Sequence, residues 1–206
     1  MSRGYDQYCP VAHALELVGE RWSLLVVREL MCGPKRYTDL AAQLGIGTNI
    51  LAARLRDLET GGVVTKRKLP PPANTRVYEL TPYGRDLQGV LRELALWGAR
   101  SLGPPTAPDE LFPGWVENAV RTVLAPIAPA GRFEIRVGDE VASLVDGVAQ
   151  PGPVDNPDVV IEGDPVGIYH LFVDRRLDQV TVRGDRELLD HLLDVAPSPI
   201  EVAANN

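Results

Sequence analysis

The segment from Asn49 to Arg56 spaces polar and small side chains so that they would share one face of a helix. Counted at about 100° per residue from Leu51, the centre of the apolar face, Asn49, Ala53 and Arg56 fall on the opposite side. Asparagine and arginine can hydrogen-bond to base edges, and a small alanine lets a helix backbone approach a DNA major groove closely. The spacing therefore predicts base recognition by this face, with Thr48 capping the helix and contacting a phosphate.

Basic residues on both sides of this segment suit contacts to the phosphates of double-stranded DNA. They comprise Lys35, Arg36, Lys66, Arg67, Lys68 and Arg76. Phosphate contacts fix the position of a protein on the duplex, and the last four residues could instead enter the minor groove. Arg54 lies on the flank of the segment and is expected to brace the helix. For the run at 66–68, an ordinary solvated face is the alternative.

Residues suited to catalysis or metal binding form no recognisable pattern. His13, His170 and His191 are scattered, and Cys9 and Cys32 lack the spacing of a zinc site. The sequence contains neither the GxSxG turn of a nucleophilic serine nor the GxxxxGKS/T loop of a phosphate-binding site. We therefore predict that the protein is not an enzyme and holds no metal or cofactor.

Two short helices and a strand pair must position the basic and base-reading residues. Leucines recur at helical spacing on both sides of the glycine-containing turn at 45–47, at Leu40, Leu44, Leu51, Leu55 and Leu58. This pattern is typical of a helix-turn-helix. The segments 63–69 and 76–81 alternate like strands, and the proline-rich segment 70–75 between them is too long for a tight turn. It predicts a projecting wing.

Further helices flank this region. One short helix is marked by Val11, Leu15 and Val18, and a second, largely buried one by Trp22 and the residues up to Leu30. After the wing, Thr81 is expected to cap a long helix that runs to about Arg100.

The apolar residues of the long helix have little to pack against in so small a domain. They are predicted to form a dimer interface, composed of Leu87, Val90, Leu91, Leu94 and Trp97. A two-fold homodimer would match a palindromic operator. Packing of the same residues on the C-terminal domain is the alternative.

In this order, the motifs resemble the HxlR family of winged helix-turn-helix transcriptional regulators. The resemblance covers roughly Tyr8 to Leu102 and rests on five motifs: Cys9-Pro10, Gly19-Glu20-Arg21-Trp22, Arg36-Tyr37-Thr38-Asp39-Leu40, Arg54-Leu55-Arg56-Asp57-Leu58-Glu59 and Tyr78-Glu79-Leu80-Thr81. It implies a dimer formed by the helix after the wing and the N-terminal segment. The three prolines at 70–72 depart from the family's pattern. They make this wing stiffer than the family's usual one.

The resemblance also gives Cys9 a chemical alternative. In several members of the family, a cysteine at the matching Cys-Pro position senses oxidants or electrophiles. Near a dimer interface, such a thiol could couple its chemistry to DNA affinity. A buried or bystander thiol is the other interpretation.

Charge is divided unevenly along the 206 residues. Residues 1–102 carry 14 Lys and Arg against 10 Asp and Glu, whereas residues 103–206 carry 7 against 18, which together give the net charge of −7. The basic half can attract phosphates, and the acidic half should face away from the duplex. With the prolines after residue 103, this predicts a winged helix-turn-helix DNA-binding and dimerisation domain (1–102), a linker (103–111) and a second domain (112–206).

The second domain is predicted to be α/β with a mainly antiparallel sheet, so the chain as a whole is α+β. A helix from Gly114 to about Ala125 precedes the strands FEIRV and EVASLVDG, and after a turn-rich segment come DVVIE, a helix, QVTVRG and a final helix. Together with the segments 158–165 and 182–185, this order resembles the sterol carrier protein 2-like fold over roughly Phe112 to Ala196. The segment 173–176 lacks the glycine usual after the middle helix.

In that family, the sheet and its helices enclose an apolar cavity for lipid-like molecules. The resemblance therefore implies a small apolar effector that modulates operator binding. The candidate effector-pocket residues are Trp115, Phe133, Ile135, Val141, Leu144, Val160, Ile168, Leu171, Phe172, Val180 and Leu192. The alternative is that they form an ordinary packed core.

The sequence has no apolar run of about 18 residues and no signal-peptide pattern, so we expect a cytoplasmic protein without a membrane partner. The combined expectation is a dimeric, DNA-binding transcriptional regulator. A rival from another class is a lipid-like ligand-binding protein whose winged helix serves as a protein–protein module.

Overall fold

The computed structural model describes residues 4–106 and 111–196. Contacts divide the chain into two compact units, Met1–Leu91 and Arg92–Asn206. The predicted linker at 103–111 lies partly outside the described residues and stays a prediction. In the described ranges, no helix is long and apolar enough to cross a membrane.

The first unit consists of helices followed by a two-stranded antiparallel sheet. Its elements are α1 (Pro10–Val18), α2 (Ser23–Met31), α3 (Tyr37–Leu44), α4 (Thr48–Thr60), β1 (Val64–Lys68), β2 (Arg76–Leu80), α5 (Pro82–Arg85) and the first residues of α6 (Leu87–Leu102). Gly45 ends α3 in the left-handed conformation, at φ 58°, which lets the chain turn sharply into α4. The two predicted helices and the wing strands are therefore present.

Leucines on α3 and α4 form the centre of the first unit's core, as their spacing predicts. Leu40, Leu51, Leu55 and Leu58 are buried together with Val26 and Val27 of α2, and Leu44 packs against them. Burial of a leucine side chain stabilises a fold by about 1.5–3 kcal/mol, so this cluster fixes the angle between α3 and α4.

The long helix predicted after the wing is interrupted at Asp86. Thr81 caps the short α5, because its hydroxyl accepts a hydrogen bond from the Gly84 amide at 3.0 Å. A Cβ on Gly84 would lie 2.1 Å from the Val63 carbonyl oxygen, so only glycine permits this close approach.

The apolar residues of α6 separate into two groups rather than one stripe. Leu91 is buried in the core of the first unit and Leu87 packs against it, whereas Val90, Leu94 and Trp97 are 52%, 46% and 69% exposed. The first pair and the last three differ in angle around the helix axis. Only the exposed three are free to meet another molecule.

The second unit is a five-stranded sheet with helices on one face. After α6 come α7 (Trp115–Ala119), a π-helix (Val120–Leu124), β3 (Arg132–Val137), β4 (Glu140–Val145), β5 (Val148–Pro151), β6 (Val159–Gly163), α8 (Pro165–Asp174), β7 (Val180–Gly184) and α9 (Arg186–Val195). The strand order is β5-β4-β3-β6-β7, and only the β3–β6 pair is parallel. The mixed α+β class and the mainly antiparallel sheet agree with the prediction, except that β5 was expected to be turn.

The core of the second unit lies between the sheet and its helices. Phe133, Ile135, Leu144 and Ile161 point from the strands toward apolar residues of α7, α8 and α9. At the end of α8, Arg175 takes the left-handed conformation at φ 58°. Its guanidinium donates hydrogen bonds to the carbonyl oxygens of Phe172 and Ala196, which holds the residue in place.

Candidate functional site

Helix α4 presents the polar face that its sequence predicts. Asn49 and Arg56 are exposed, Ala53 is half-buried between them, and neither polar side chain has a partner among the described residues. The prediction that Thr48 caps α4 is wrong. Gly47 is the N-cap, and Thr48 is the first helical residue and forms no side-chain cap. Its carbonyl oxygen instead accepts a hydrogen bond from the Tyr37 hydroxyl, which ties α4 to α3.

Arg54 braces α4, as expected from its place on the flank of the helix. Its Nη1 lies 2.9 Å from Oε2 of Glu20 and 3.5 Å from Oδ2 of Asp57. The first contact links α4 to the segment that connects α1 and α2. An arginine held between two carboxylates is not available to read a base.

Lys35 is engaged within the protein. Its Nζ lies 3.7 Å from Oε2 of Glu29, a carboxylate with no exposed surface that Arg28 also contacts at 2.7 Å. A buried carboxylate is strongly destabilising unless cations and hydrogen bonds compensate it. The Lys35 backbone also exchanges two hydrogen bonds with Tyr78 of β2. Arg36, the next residue, is exposed at the start of α3.

The cations of the wing strands fall into two pairs. Lys66 contacts Glu59 at 2.8 Å, and Arg67 makes two hydrogen bonds to Glu79 at 2.9 and 3.0 Å. The hydrogen bond to Glu59 raises the pKa of Lys66, and the bond from Arg67 lowers the pKa of Glu79.

Lys68 and Arg76 form the other pair. They are cross-strand neighbours at the base of the wing loop, both exposed and without a partner among the described residues. Two adjacent unpaired cations repel each other, and an anion between them would relieve that repulsion. Of the six predicted phosphate contacts, these two are therefore the best placed.

The cysteines and histidines assemble no site in the described part of the chain. Cys9 is half-buried at the N-cap of α1, and Cys32 follows the last residue of α2. His170 lies 2.5 Å from the Asp174 carboxylate one turn further along α8. No group of three or more His, Cys, Asp or Glu within residues 4–106 and 111–196 could hold a metal ion.

The second unit contains an apolar cavity of about 170 Å³ between its helices and sheet. Of the predicted effector-pocket residues, Trp115, Ile135, Ile168 and Phe172 line this cavity. The others on the same side of the sheet belong to the packed core around it: Phe133, Leu144, Leu171, Val180 and Leu192.

Val141 and Val160 do not belong to the cavity, which corrects the prediction. In the sheet register they stand opposite Arg136 and Glu134, whose side chains lie on the other face. That face is polar: burial alone would raise the pKa of Glu134, but hydrogen bonds from the Val154 amide and from Arg136 leave its pKa below the usual value. Successive strand residues point to opposite faces, so a strand shares only alternate positions with a cavity.

Several cavity residues escaped the sequence analysis. Ala95, Leu96 and Ala99 come from the part of α6 that belongs to the second unit, and Val120 and Val123 come from the π-helix. The four-residue spacing of Ala95 and Ala99 on a helix indicates a shared face. No sequence pattern indicates that this face borders a cavity, because alanines on a helix are common.

Comparison with known proteins places the first unit in a family. A sequence profile described as HxlR-like helix-turn-helix matches residues 17–105. The HTH-type transcriptional regulator YodB of Bacillus subtilis is 35% identical over 98 residues, which cover 47% of this chain and 88% of YodB. The crystal structure of quinone-bound YodB is 34% identical in sequence to this chain. The match covers 44% of this chain and 97% of the YodB chain, with a TM-score of 0.39.

A longer relative is the uncharacterized HTH-type transcriptional regulator Rv3095 of Mycobacterium tuberculosis. It is 41% identical over 98 residues, which cover 48% of this chain. The matched segment spans 62% of the length of Rv3095. On the extent of the match to YodB, the chain belongs to the HxlR family of helix-turn-helix transcriptional regulators, which are not enzymes.

Proposed function

We propose that this protein is a dimeric regulator that binds a palindromic DNA operator through α4 and the wing. The observation that carries the proposal is the polar face of α4. Asn49 and Arg56 are exposed and have no side-chain partner in the described ranges, whereas neighbouring Arg54 is held by two carboxylates. Groups that bind DNA must exchange water for base edges and phosphates, so side chains without internal partners are the best suited.

The dimer uses the exposed residues of α6, Val90, Leu94 and Trp97. Helix α1 adds exposed Val11 and Leu15, in agreement with an interface that includes the N-terminal segment. Apolar side chains exposed in such numbers are typical of protein–protein contacts. Sedimentation of the full chain should give a dimer, and Leu94→Asp should give a monomer of unchanged helix content. A dimeric Leu94→Asp variant would exclude this face.

DNA binding is tested by its dependence on salt. The full chain should bind a double-stranded fragment from its own promoter with an affinity that falls steeply, by about 10³–10⁵-fold between 50 and 200 mM salt for 6–10 phosphate contacts. Fluorescence anisotropy measures this directly. A protein–protein module would show no DNA binding of this kind, and that result would favour the rival function.

The second unit binds a small apolar effector that changes operator affinity. Its support is the apolar cavity, to which α6 contributes Ala95, Leu96 and Ala99. The same helix contributes Leu87 and Leu91 to the core of the first unit. A ligand in the cavity would therefore contact a helix that is also part of the DNA-binding unit. Native mass spectrometry of protein purified from its own cells should detect a bound small molecule.

A second candidate function is sensing of oxidants or electrophiles through Cys9. Cys9 is half-buried and occupies the N-cap of α1, the helix that carries the exposed Val11 and Leu15 of the proposed dimer interface. The relative YodB has been crystallised with a quinone. Operator binding should then respond to diamide in the wild type and not in Cys9→Ser. An identical response in both would exclude Cys9 as the sensor.

A further inference from the structure

We propose that the cavity of the second unit binds a neutral molecule about the size of one substituted aromatic ring, and that Tyr169 selects molecules carrying a hydrogen-bond acceptor. This inference rests on the proposed function, because it assigns a ligand class to the effector cavity. Three properties of the cavity support it: its volume, the absence of charge on its lining, and the chemistry of Tyr169.

The volume of the cavity sets the size of its ligand. At about 170 Å³, the cavity is close to the apolar cavities of about 150 Å³ that bind benzene in other proteins. Pockets for larger, drug-sized molecules occupy about 300–1,000 Å³. A sterol or a long acyl chain could be enclosed completely only by displacing core side chains such as Leu171 and Leu192, which are fully buried. Such displacement is costly in a close-packed core.

The lining of the cavity determines the charge of its ligand. All fifteen lining residues that the structure describes are uncharged, and the polar side-chain groups among them are the Tyr169 hydroxyl and the Trp115 indole N–H. A carboxylate or an ammonium group placed there would lose its water without gaining an oppositely charged partner. The cavity therefore excludes ionised molecules and favours neutral ones.

Tyr169 supplies a directional interaction. Its ring packs edge-on against His170, with centroids 5.5 Å apart at 81°. Burial, and secondarily the charge of Asp174, raise the pKa of Tyr169, so its hydroxyl stays protonated at neutral pH. The hydroxyl has no hydrogen-bond partner among the described residues and can donate to a ligand oxygen.

Two features of the walls keep the cavity open. Four described lining positions are alanines, so small side chains face the space: Ala95 and Ala99 on α6, Ala119 on α7 and Ala196 after α9. The adjoining wall is the π-helix Val120–Leu124, of which Val120, Val123 and Leu124 line the cavity. π-Helical turns are rare and recur at functional sites.

Isothermal titration of the full chain with four probes tests the ligand class. Acetophenone is a neutral single ring with an acceptor, ethylbenzene has nearly the same shape without one, benzoate is the charged counterpart, and decanoate is a long anionic chain. Two variants accompany the wild type: Tyr169→Phe removes the hydroxyl alone, and Ala119→Leu fills the cavity. Ala99→Leu replaces Ala119→Leu if circular dichroism shows that the latter is unfolded.

We expect acetophenone and ethylbenzene to bind and benzoate and decanoate not to bind. Tyr169→Phe should weaken the binding of acetophenone by about five- to tenfold, the usual effect of one lost hydrogen bond, and leave the binding of ethylbenzene unchanged. Ala119→Leu should abolish the binding of both probes. Equal weakening of both neutral probes by Tyr169→Phe would overturn the selective role of Tyr169.

The remaining outcomes separate this inference from the proposed function. If benzoate or decanoate binds at least as tightly and Ala119→Leu abolishes that binding, the cavity is a ligand site and the proposed class is wrong. If no probe binds and Ala119→Leu leaves operator affinity unchanged, the cavity is ordinary core and both proposals fall. If the probes bind as expected but operator affinity does not respond to acetophenone, the ligand class stands and the regulatory role falls.

Discussion

The face of α4 and the cavity of the second unit handle charge in opposite ways. Around α4, several cations are neutralised by carboxylates of the protein, whereas Arg56, Lys68 and Arg76 lie exposed without an acidic partner in the part of the chain that the structure describes. None of the described residues that line the cavity is charged. Unpaired cations attract a charged polymer from a distance, whereas a charge-free cavity selects by shape and by the cost of desolvation. The two units thus suit a polyanion and a neutral small molecule.

The largest effect should come from the apolar wall of the cavity. Ile135→Ala should lower the free energy of unfolding by about 2–5 kcal/mol, because it removes buried methyl groups and leaves a void. Val141→Ala, on the other sheet face, is the matched control and should cost less than about 1 kcal/mol. Urea denaturation followed by circular dichroism measures both. Equal losses would mean that the two faces of the sheet do not differ as described.

Arg56→Ala tests the polar face of α4. It should weaken binding to the cognate operator by about 1–3 kcal/mol and relax sequence preference at one base pair, since an arginine that pairs with a base carries specificity. Lys66→Ala is the control. It should lose less operator affinity, because the Lys66 ammonium already contacts Glu59. Anisotropy with cognate and random duplexes gives both values. Equal losses of Arg56→Ala on the two duplexes would reduce its role to a phosphate contact.

Lys35→Met distinguishes a structural cation from a DNA-binding one. It should lower stability by about 1–2 kcal/mol, because Glu29 would stay buried with Arg28 as its remaining cation. Operator affinity, measured at a temperature where the variant is folded, should change little. A large loss of affinity at unchanged stability would show that Lys35 contacts phosphate after all.

The smallest effect should distinguish the two pairs of wing cations. Lys68→Gln should reduce the slope of log affinity against log salt by about one unit, the effect of one lost phosphate contact. Lys66→Gln should reduce it less, because Glu59 competes with the phosphate for its ammonium. Titrations at four salt concentrations suffice. Identical slopes for the two variants would mean that Glu59 releases Lys66 on DNA.

Much of the fold followed from sequence because local patterns govern it. The leucine spacing of α3 and α4 and the alternation of the strands depend on periods of 3.6 and 2, which a single sequence displays. Segment 148–151 was misjudged for a local reason as well: its Gln150-Pro151-Gly152 sequence has the composition of a turn, yet four residues pair with β4. Composition predicts a turn, and only the neighbouring strand converts it into an edge strand.

The composition of the cavity could not be predicted, because it depends on long-range register. Val141 and Ile135 are both apolar strand residues, and the pairing of Arg136 with Val141 puts them on opposite faces. Shifting that register by one residue would exchange the faces. For Lys35, Lys66 and Arg67, the sequence shows the cations but not the carboxylates that folding brings next to them. The partner of Arg67, Glu79, lies on the neighbouring strand.

Few positions of helix α6 can be substituted without consequence. Leu87 and Leu91 support one core, Val90, Leu94 and Trp97 are exposed, and Ala95 and Ala99 border the cavity, so apolar demands reach around most of its circumference. On the proposed function, a mutational scan of this helix should return unstable variants, monomeric variants and variants without ligand response from positions only a few residues apart. Constitutive or unresponsive alleles should therefore cluster here, far in sequence from the residues proposed to read bases.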